Sequence, residues 1–149
     1  MSNFSFITQK WASIAQTPQE AEQHVYGAPS YCAMLCRKSL EEWVRWIYEH
    51  DADLELPYDS SLSSLIHDQG FKNLVAPLQF SQINTIRKLG NTAVHTSAKI
   101  KSEEALHILQ LLFGFIGWVT YMYGEEKPNI KPFDISALIK EKGKDKTCV

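Results

Sequence analysis

Three residues with different chemistry recur at four-residue steps in the middle of the chain: Arg87, Asn91 and His95. Residues four apart lie on one side of a helix. A helix here therefore presents a cation, an amide and an imidazole in a line, with the small residues Gly90 and Ala93 beside them. We call Arg87, Asn91 and His95 the polar row. Such a row can contact phosphate, position a nucleophile or join two helices.

On RNA, the polar row has the groups for phosphodiester chemistry. Arg87 would hold the scissile phosphate and stabilise its developing charge, and His95 would move a proton to or from the ribose 2′-hydroxyl or the leaving oxygen. Two rows facing each other across a symmetric dimer would make a better site. We take Arg87, Asn91 and His95 as candidate catalytic residues, and the same three with Lys88 as candidate binding residues.

The alternative for the polar row is structural. Arg87 would then pair with a neighbouring carboxylate and Asn91 would bond a backbone group. His95 would be half-buried near the end of the helix, where the helix dipole favours its charged form. Burial of Arg87 and His95 separates this alternative from the functional one.

The elements around the polar row are predicted to be helices, with no strand pattern and no internal repeat. Pro18 is a first-turn signal, Gly70 and Gly124 are C-terminal stops, and Ser102 is a good N-cap. The predicted helices cover residues 6 to about 15, 18 to about 26, 29 to about 50, 61 to about 69, 77 to about 96, 102 to 123 and, as a short last element, 134–140.

Two of these helices have clear apolar stripes at steps of three and four. In the helix from residue 29 to about 50 the stripe is Cys32, Leu35, Cys36, Leu40, Trp43 and Ile47. Arg37 and Glu41 form an i,i+4 pair on another face of it. In the helix that carries the polar row, the apolar positions are Ile83, Ile86, Leu89 (or Gly90), Ala93 and Val94.

Composition limits the class of protein. With 149 residues, 44% of them apolar and 21% charged, the chain has the size and balance of one soluble globular domain. Its formal net charge of −2 argues against a broadly basic protein that coats nucleic acid. A local basic patch remains compatible with that charge.

Cysteine usage predicts a reducing, cytoplasmic compartment. The three cysteines, Cys32, Cys36 and Cys148, are an odd number, and residues 1–14 do not form a secretory signal. Cys32 and Cys36 share a helical face and are interpreted as buried hydrophobes rather than metal or redox ligands. A zinc site needs two more ligands at suitable spacing, and none is evident.

The most apolar stretch, residues 108–124, carries no charge but is interrupted by Gln110, Thr120 and two glycines. It falls short of the roughly 20 residues that span a bilayer, so a core helix is favoured and no membrane partner is expected.

The other candidate residues are predicted to have structural or surface positions rather than functional ones. Trp43 and Trp46 are expected in the core and at its boundary, and His67, Asp68 and His107 at the surface. No phosphate-cradling glycine loop or other nucleotide-hydrolysis motif is present.

The pattern Arg-x-x-Gly-Asn-x-Ala-x-His, which runs from Arg87 to His95 and precedes a long apolar helix, resembles a known family. It is similar to the small helical domain at the N-terminus of many R subunits of type I restriction-modification enzymes, which also occurs in related DEAD/DEAH-type helicase proteins. The resemblance covers residues 3 to 124. Its supporting residues in the first half are Asn3, Phe4, Ser5, Phe6, Ala21, Glu22, Pro29, Leu35, Arg37 and Glu41.

The resemblance implies a HEPN-like helical bundle with a long central helix pair. Several HEPN domains are metal-independent ribonucleases of toxin and antiviral systems. Their active motif places the His closer to the Arg than the eight positions that separate Arg87 from His95 here, and Asn91 occupies the nearer position. The longer spacing moves the guanidinium along the helix axis, which favours binding or assembly over catalysis.

The resemblance also predicts a domain organisation. Residues 1–124 would form the HEPN-like domain, and residues 125–149 a tether, marked by Pro128 and Pro132, with a charged tail over 140–146. This organisation looks cut from a longer protein. The parent would be an ATP-dependent DNA translocase and endonuclease that uses ATP and magnesium, with its motor beyond Val149, and this segment would itself hold no cofactor.

Within such a parent, the segment is predicted to be an accessory module for antiviral defence. It would contact DNA, RNA, other restriction-modification subunits or a second copy of itself. Two alternatives remain open. One is a stand-alone HEPN-type ribonuclease, or its inactive partner, in a toxin-antitoxin or abortive-infection system. The other is a dimerisation module without nucleic-acid contact.

Overall fold

The computed structural model describes residues 2–95 and 99–138, and every regular element within them is helical. The predicted all-α fold class is therefore confirmed. A 3₁₀ turn at Gln9–Trp11 is followed by helices α1 (Ala12–Gln23), α2 (Pro29–His50), α3 (Leu62–His67), α4 (Gln69–Leu74), α5 (Pro77–His95) and α6 (Ser102–Tyr123). Helix α2 is central and packs against α5, α1 and α6.

Helix α2 has the bounds that the sequence predicts, and its predicted apolar stripe is buried. Pro29 lies at its first turn, where a missing backbone N–H costs nothing. Trp43 is fully buried and Trp46 partly buried, as expected for a core residue and a boundary residue. The loop from residue 51 to 61 also agrees with the prediction.

Helix α1 corrects the prediction of two short helices divided at Pro18. Residues 12–23 form one helix with Pro18 inside it. A proline at this position removes the N–H that would bond to the Ile14 carbonyl four residues earlier. That carbonyl instead accepts a hydrogen bond from the Trp43 Nε1–H of α2, at 3.1 Å. The helix therefore continues because a tertiary contact satisfies the group that proline leaves unpaired.

The prediction that Gly70 ends a helix is also wrong. The break falls at Asp68, whose backbone is extended, and Gly70 lies in the first turn of α4. The Asp68 carboxylate accepts a hydrogen bond from the Gly70 N–H at 3.1 Å, which caps α4. Asp68 is therefore a capping residue, while the neighbouring His67 is exposed as predicted.

Helix α6 ends before Gly124 as predicted, but its N-cap position is Lys101 rather than Ser102. The Lys101 N–H donates to Glu104 Oε1 at 2.9 Å. By length and composition alone, α6 is apolar enough to cross a membrane, with a mean hydropathy of 1.5 in its most apolar window. In this fold, 44% of that window is buried inside the protein.

Residues beyond α6 contact the helices as far as they are described. The Asp134 N–H donates to Asn3 Oδ1 at 2.7 Å, Phe133 packs edge-on against Phe113, and Leu138 is buried. The domain boundary at residue 124 stays a prediction. The charged tail, the end of the predicted 134–140 helix, Cys148 and residues 96–98 lie outside the described residues.

Candidate functional site

Helix α5 carries the polar row on the flank of the side that faces the core. Ile83, Ile86 and Gly90 are buried, with Leu89 and Ala93 partly buried against the core cluster. The prediction that Val94 belongs to the apolar face is wrong, because half of this side chain is exposed. The last turn of α5 thus projects beyond the core.

Gly90 is the point of closest approach between α5 and α2. A Cβ added to Gly90 would lie 2.4 Å from the Arg37 Cβ and 3.1 Å from its Cγ and Cδ. No other residue type leaves room for the Arg37 side chain to cross α5 at this level. Gly90 therefore brings Arg37 of α2 beside the turn of α5 that carries Arg87 and Asn91.

Arg37 belongs to a short ionic network on α2. The Arg37 guanidinium lies 3.4 Å from Glu41, as the i,i+4 spacing predicts. The other oxygen of the Glu41 carboxylate contacts Arg45 at 3.0 Å, and Arg45 also donates to the Ser60 carbonyl at 2.6 Å. Because one carboxylate serves two guanidinium groups, this network has a surplus positive charge.

Arg87 is half-buried and is held within its own helix. Its Nε–H donates to Asn84 Oδ1 at 3.0 Å, and among the described residues no carboxylate lies within ion-pair distance of it. Helix α5 itself contains no Asp or Glu. The described residues therefore do not form the carboxylate pair with Arg87 that the structural alternative predicts.

The other candidate residues lie at the surface end of α5. Lys88 and His95 are exposed, and Asn91 is half-buried. Hydrogen bonds to the Asn91 and His95 side chains are absent from the part of the chain that the structure describes. Within the polar row, Arg87 is thus partly buried and bonded to Asn84, whereas the half-buried Asn91 and the exposed His95 keep their polar groups available.

The cations of α2 and the polar row share one side of the α2–α5 pair. Arg45 contacts the Ser60 carbonyl just before α3 begins. Phe80, on the same side of α5 as Arg87, packs edge-on against His67 in α3. Helix α3 and the residue before it therefore contact the Arg45 flank of α2 and the Phe80 flank of α5. These two flanks thus lie on the same side of the helix pair. We call the residues that line them the basic surface: Arg37, Glu41, Arg45, Arg87, Lys88, Asn91 and His95.

The sequence pattern predicts the α5 half of the basic surface but not the α2 half. Arg37 and Arg45 have ordinary i,i+4 spacing to Glu41, which predicts a solvated helix face. The available signal is Gly90, because a glycine inside a helix often marks a close approach of another chain segment. The sequence does not say which segment approaches.

The two described cysteines behave as core residues. Cys32 and Cys36 are fully buried. Burial, with a hydrogen bond between the Cys36 thiol and Cys32 as a secondary cause, raises the pKa of the Cys36 thiol well above its usual value. Within the described ranges no three His, Cys, Asp or Glu side chains are grouped as a metal ion would require.

A separate cavity of about 290 Å³ lies away from the basic surface. It is lined by Thr8, Lys10, Trp11, Thr120, Gly124, Glu125, Glu126 and Pro128. None of these residues belongs to α2 or α5, so the polar row lies on an open surface and not in this cavity.

A family model described as "Domain of unknown function (DUF4145)" matches residues 19–144, a span that includes both the α2 and the α5 parts of the basic surface. Searches of curated proteins and of solved structures found no match.

Proposed function

The chain belongs to the DUF4145 family, and from this premise and the basic surface we propose that it is a nucleic-acid-contacting accessory domain. Its context is the R subunit of a cytoplasmic type I restriction-modification enzyme. The parent translocates and cleaves DNA with ATP and magnesium, and this HEPN-like domain contributes contacts to the phosphate backbone rather than catalysis.

The observation that carries the proposal is the local charge. Arg37, Arg45, Arg87 and Lys88 contribute four positive charges and Glu41 a single negative one, although the whole chain has a net charge of −2. Lys and Arg groups that neutralise phosphates release counterions and dominate the affinity for nucleic acid. A cationic surface on an otherwise acidic protein is therefore suited to a local phosphate contact.

The geometry of α5 favours binding over hydrolysis. Arg87 and His95 are eight residues apart, which places them about 12 Å apart along the helix axis. The Arg87 side chain also extends away from His95, toward Asn84, so one phosphodiester group does not meet both residues of the same chain. Successive phosphates along a strand can engage them, with the Asn91 amide between.

Fluorescence anisotropy with labelled single-stranded DNA, single-stranded RNA and duplex DNA tests the proposal. Replacing Arg87 by Gln should weaken binding to every sequence alike and make the slope of log affinity against log salt shallower by about 0.7 for a single strand. The matched control is Lys131→Ala, which removes one positive charge from an exposed position outside the helices. Wild-type protein without salt-dependent binding contradicts the proposal.

A metal-independent ribonuclease is the second candidate, and the exposure of His95 together with the lack of a carboxylate beside Arg87 in the described part of the chain favours it. Structured RNA incubated with the protein in EDTA distinguishes the two functions. Cleavage that is lost in His95→Ala supports the ribonuclease. Intact RNA at high protein concentration excludes it.

The restriction-enzyme context has its own test, which does not depend on binding. Helicase motifs encoded downstream of residue 149 support it, and a stop codon there contradicts it. A homodimer in solution without nucleic-acid binding would instead identify a dimerisation module.

A further inference from the structure

We propose that Arg37 and Arg87 form a clamp in which two guanidinium groups, one from each side of Gly90, hold the same phosphate group of a bound nucleic acid. The inference rests on the proposed function, since it names the chemistry by which the basic surface engages its ligand. It adds Arg37, from a different helix, as a binding residue and assigns Glu41 the role of positioning it.

The Arg37 side chain lies directly over Gly90 of α5. Its Cβ, Cγ and Cδ all lie within 3.1 Å of the position that a Gly90 Cβ would occupy. Arg87 precedes Gly90 by three residues, and residues three apart on a helix have Cβ atoms about 5–6 Å apart. The two arginine side chains therefore start from adjacent positions on one surface.

The Arg37 and Arg87 side chains extend in the same direction along the helix pair. Helices α2 and α5 run antiparallel. Ser60 and the α3 that follows it contact Arg45 near the end of α2 and Phe80 near the start of α5, whereas Arg37, earlier in α2, contacts Gly90, later in α5. Arg37 extends along α2 toward Glu41, which by this register lies near the level of Arg87. The Arg87 side chain extends toward Asn84, one turn before it. Both groups thus extend toward the same end of the bundle.

Arg37 makes fewer hydrogen bonds within the protein than Arg45. Arg37 has one contact with Glu41, at the long distance of 3.4 Å, and its buried Nε–H has no acceptor among the described residues. Arg45 differs, because its Nε–H donates to Glu41 at 3.0 Å and its Nη2 donates to Ser60 at 2.6 Å. The protein satisfies Arg45, whereas the Nη2 group of Arg37 has no acceptor among the described residues and is the donor available to a ligand.

These donors suit a phosphate. A guanidinium presents a rigid planar fork that matches two oxygens of a tetrahedral anion, and two forks can share one phosphate. Glu41 lies between Arg37 and Arg45, which reduces the repulsion that Arg37 and Arg87 would otherwise exert on each other. Since the contacts are to phosphate only, the clamp is insensitive to base sequence.

A double-mutant cycle on binding of a labelled single-stranded oligonucleotide tests the clamp. Arg37→Gln and Arg87→Gln should each weaken binding about fivefold near 0.1 M salt, the contribution of one contact. If both arginines hold one phosphate, the double variant should lose much less than the product of the two single losses. Lys131→Gln, which removes one positive charge from an exposed position outside the basic surface, should change the affinity less than twofold.

Each result decides between the proposals. Weakening by Arg87→Gln but not by Arg37→Gln overturns the clamp and leaves the proposed function standing. Losses that multiply in the double variant also overturn it, because they assign the arginines to separate phosphates. If the wild-type protein binds no oligonucleotide, the proposed function and the clamp fail together. Circular dichroism of each variant confirms that the helices are intact.

Discussion

Gly90 and Arg37 contact each other directly across the α2–α5 interface, and a Cβ at Gly90 would lie only 2.4 Å from the Arg37 Cβ. This single contact serves both the fold and the site. It sets how closely the two helices pack, and it places the Arg37 side chain of α2 against the turn of α5 that runs from Arg87 to Gly90.

Replacing Gly90 by alanine should destabilise the protein, because the added methyl group meets Arg37 and the helices must separate. Overpacking of this kind costs about 1–3 kcal/mol in the free energy of unfolding. Gly114 is the matched control, since it is a helical glycine in α6 with open space around its Cβ position. There alanine should stabilise the fold by about 0.5–1 kcal/mol. Chemical denaturation measures both, and equal effects at the two positions would contradict the account.

Trp43 should contribute more to the free energy of unfolding when residue 18 is proline than when it is alanine. Trp43→Phe removes the hydrogen bond to the Ile14 carbonyl and should cost about 1–3 kcal/mol, because that buried acceptor is left unpaired. With Pro18→Ala, the new backbone N–H can satisfy the same carbonyl. The cost of Trp43→Phe should then fall in a double-mutant cycle of unfolding free energies. An unchanged cost would show that the indole does not compensate for the proline.

Helix prediction succeeds in this chain where local pattern decides and fails where a tertiary contact overrides it. Helix α2 follows from its apolar period, and the bounds of α5 follow from Pro77 and from the spacing of Ile83 and Ile86. The break predicted at Pro18 fails because the partner of the Ile14 carbonyl lies 29 residues away. Nothing in the local sequence indicates that Trp43 reaches it.

The candidate site also contains residues that local spacing predicts and one, Arg37, that only a tertiary contact adds. Arg87, Asn91 and His95 are found from spacing alone, because one helix carries all three. Arg37 joins them only through the register between α2 and α5, which Gly90 permits but does not specify. The stop predicted at Gly70 fails for a related reason, since Asp68 caps the following helix through the Gly70 N–H.

The thiols of Cys32 and Cys36 should be unreactive in the native state. Both side chains are fully buried, and burial raises the pKa of Cys36, which disfavours the nucleophilic thiolate. In a Cys148→Ser background, a thiol reagent such as DTNB should label both cysteines at once in denaturant. In native buffer it should label them only as fast as the protein opens. Rapid native labelling of either thiol would show that the core around α2 is not closed.

Alkaline pH should destabilise the fold through Tyr48. Burial, with the charge of Asp68 as a secondary cause, raises its pKa from 10.0 to about 12. The unfolded chain therefore releases this proton first. The contribution of Tyr48 is fully present below the unfolded pKa and is lost as the pH rises through the folded pKa.

Thermal melts between these two pKa values measure the effect. Tyr48→Phe should make the loss of stability with rising pH less steep, although it also removes the hydrogen bond to the Leu65 carbonyl. Tyr58 is fully exposed, so Tyr58→Phe should leave the pH dependence unchanged. The same pH dependence in wild type and Tyr48→Phe would contradict the assignment.

The most direct test of a phosphate-binding surface on α2 and α5 is an NMR titration of ¹⁵N-labelled protein with a short single-stranded oligonucleotide. We predict that the largest shifts occur at the Arg37 and Arg87 Nε–H groups and at the Asn91 side-chain amide, and that added salt reverses them. Shifts confined to the outer face of α6 or to the cavity beside Trp11, or no shifts at all, would contradict it.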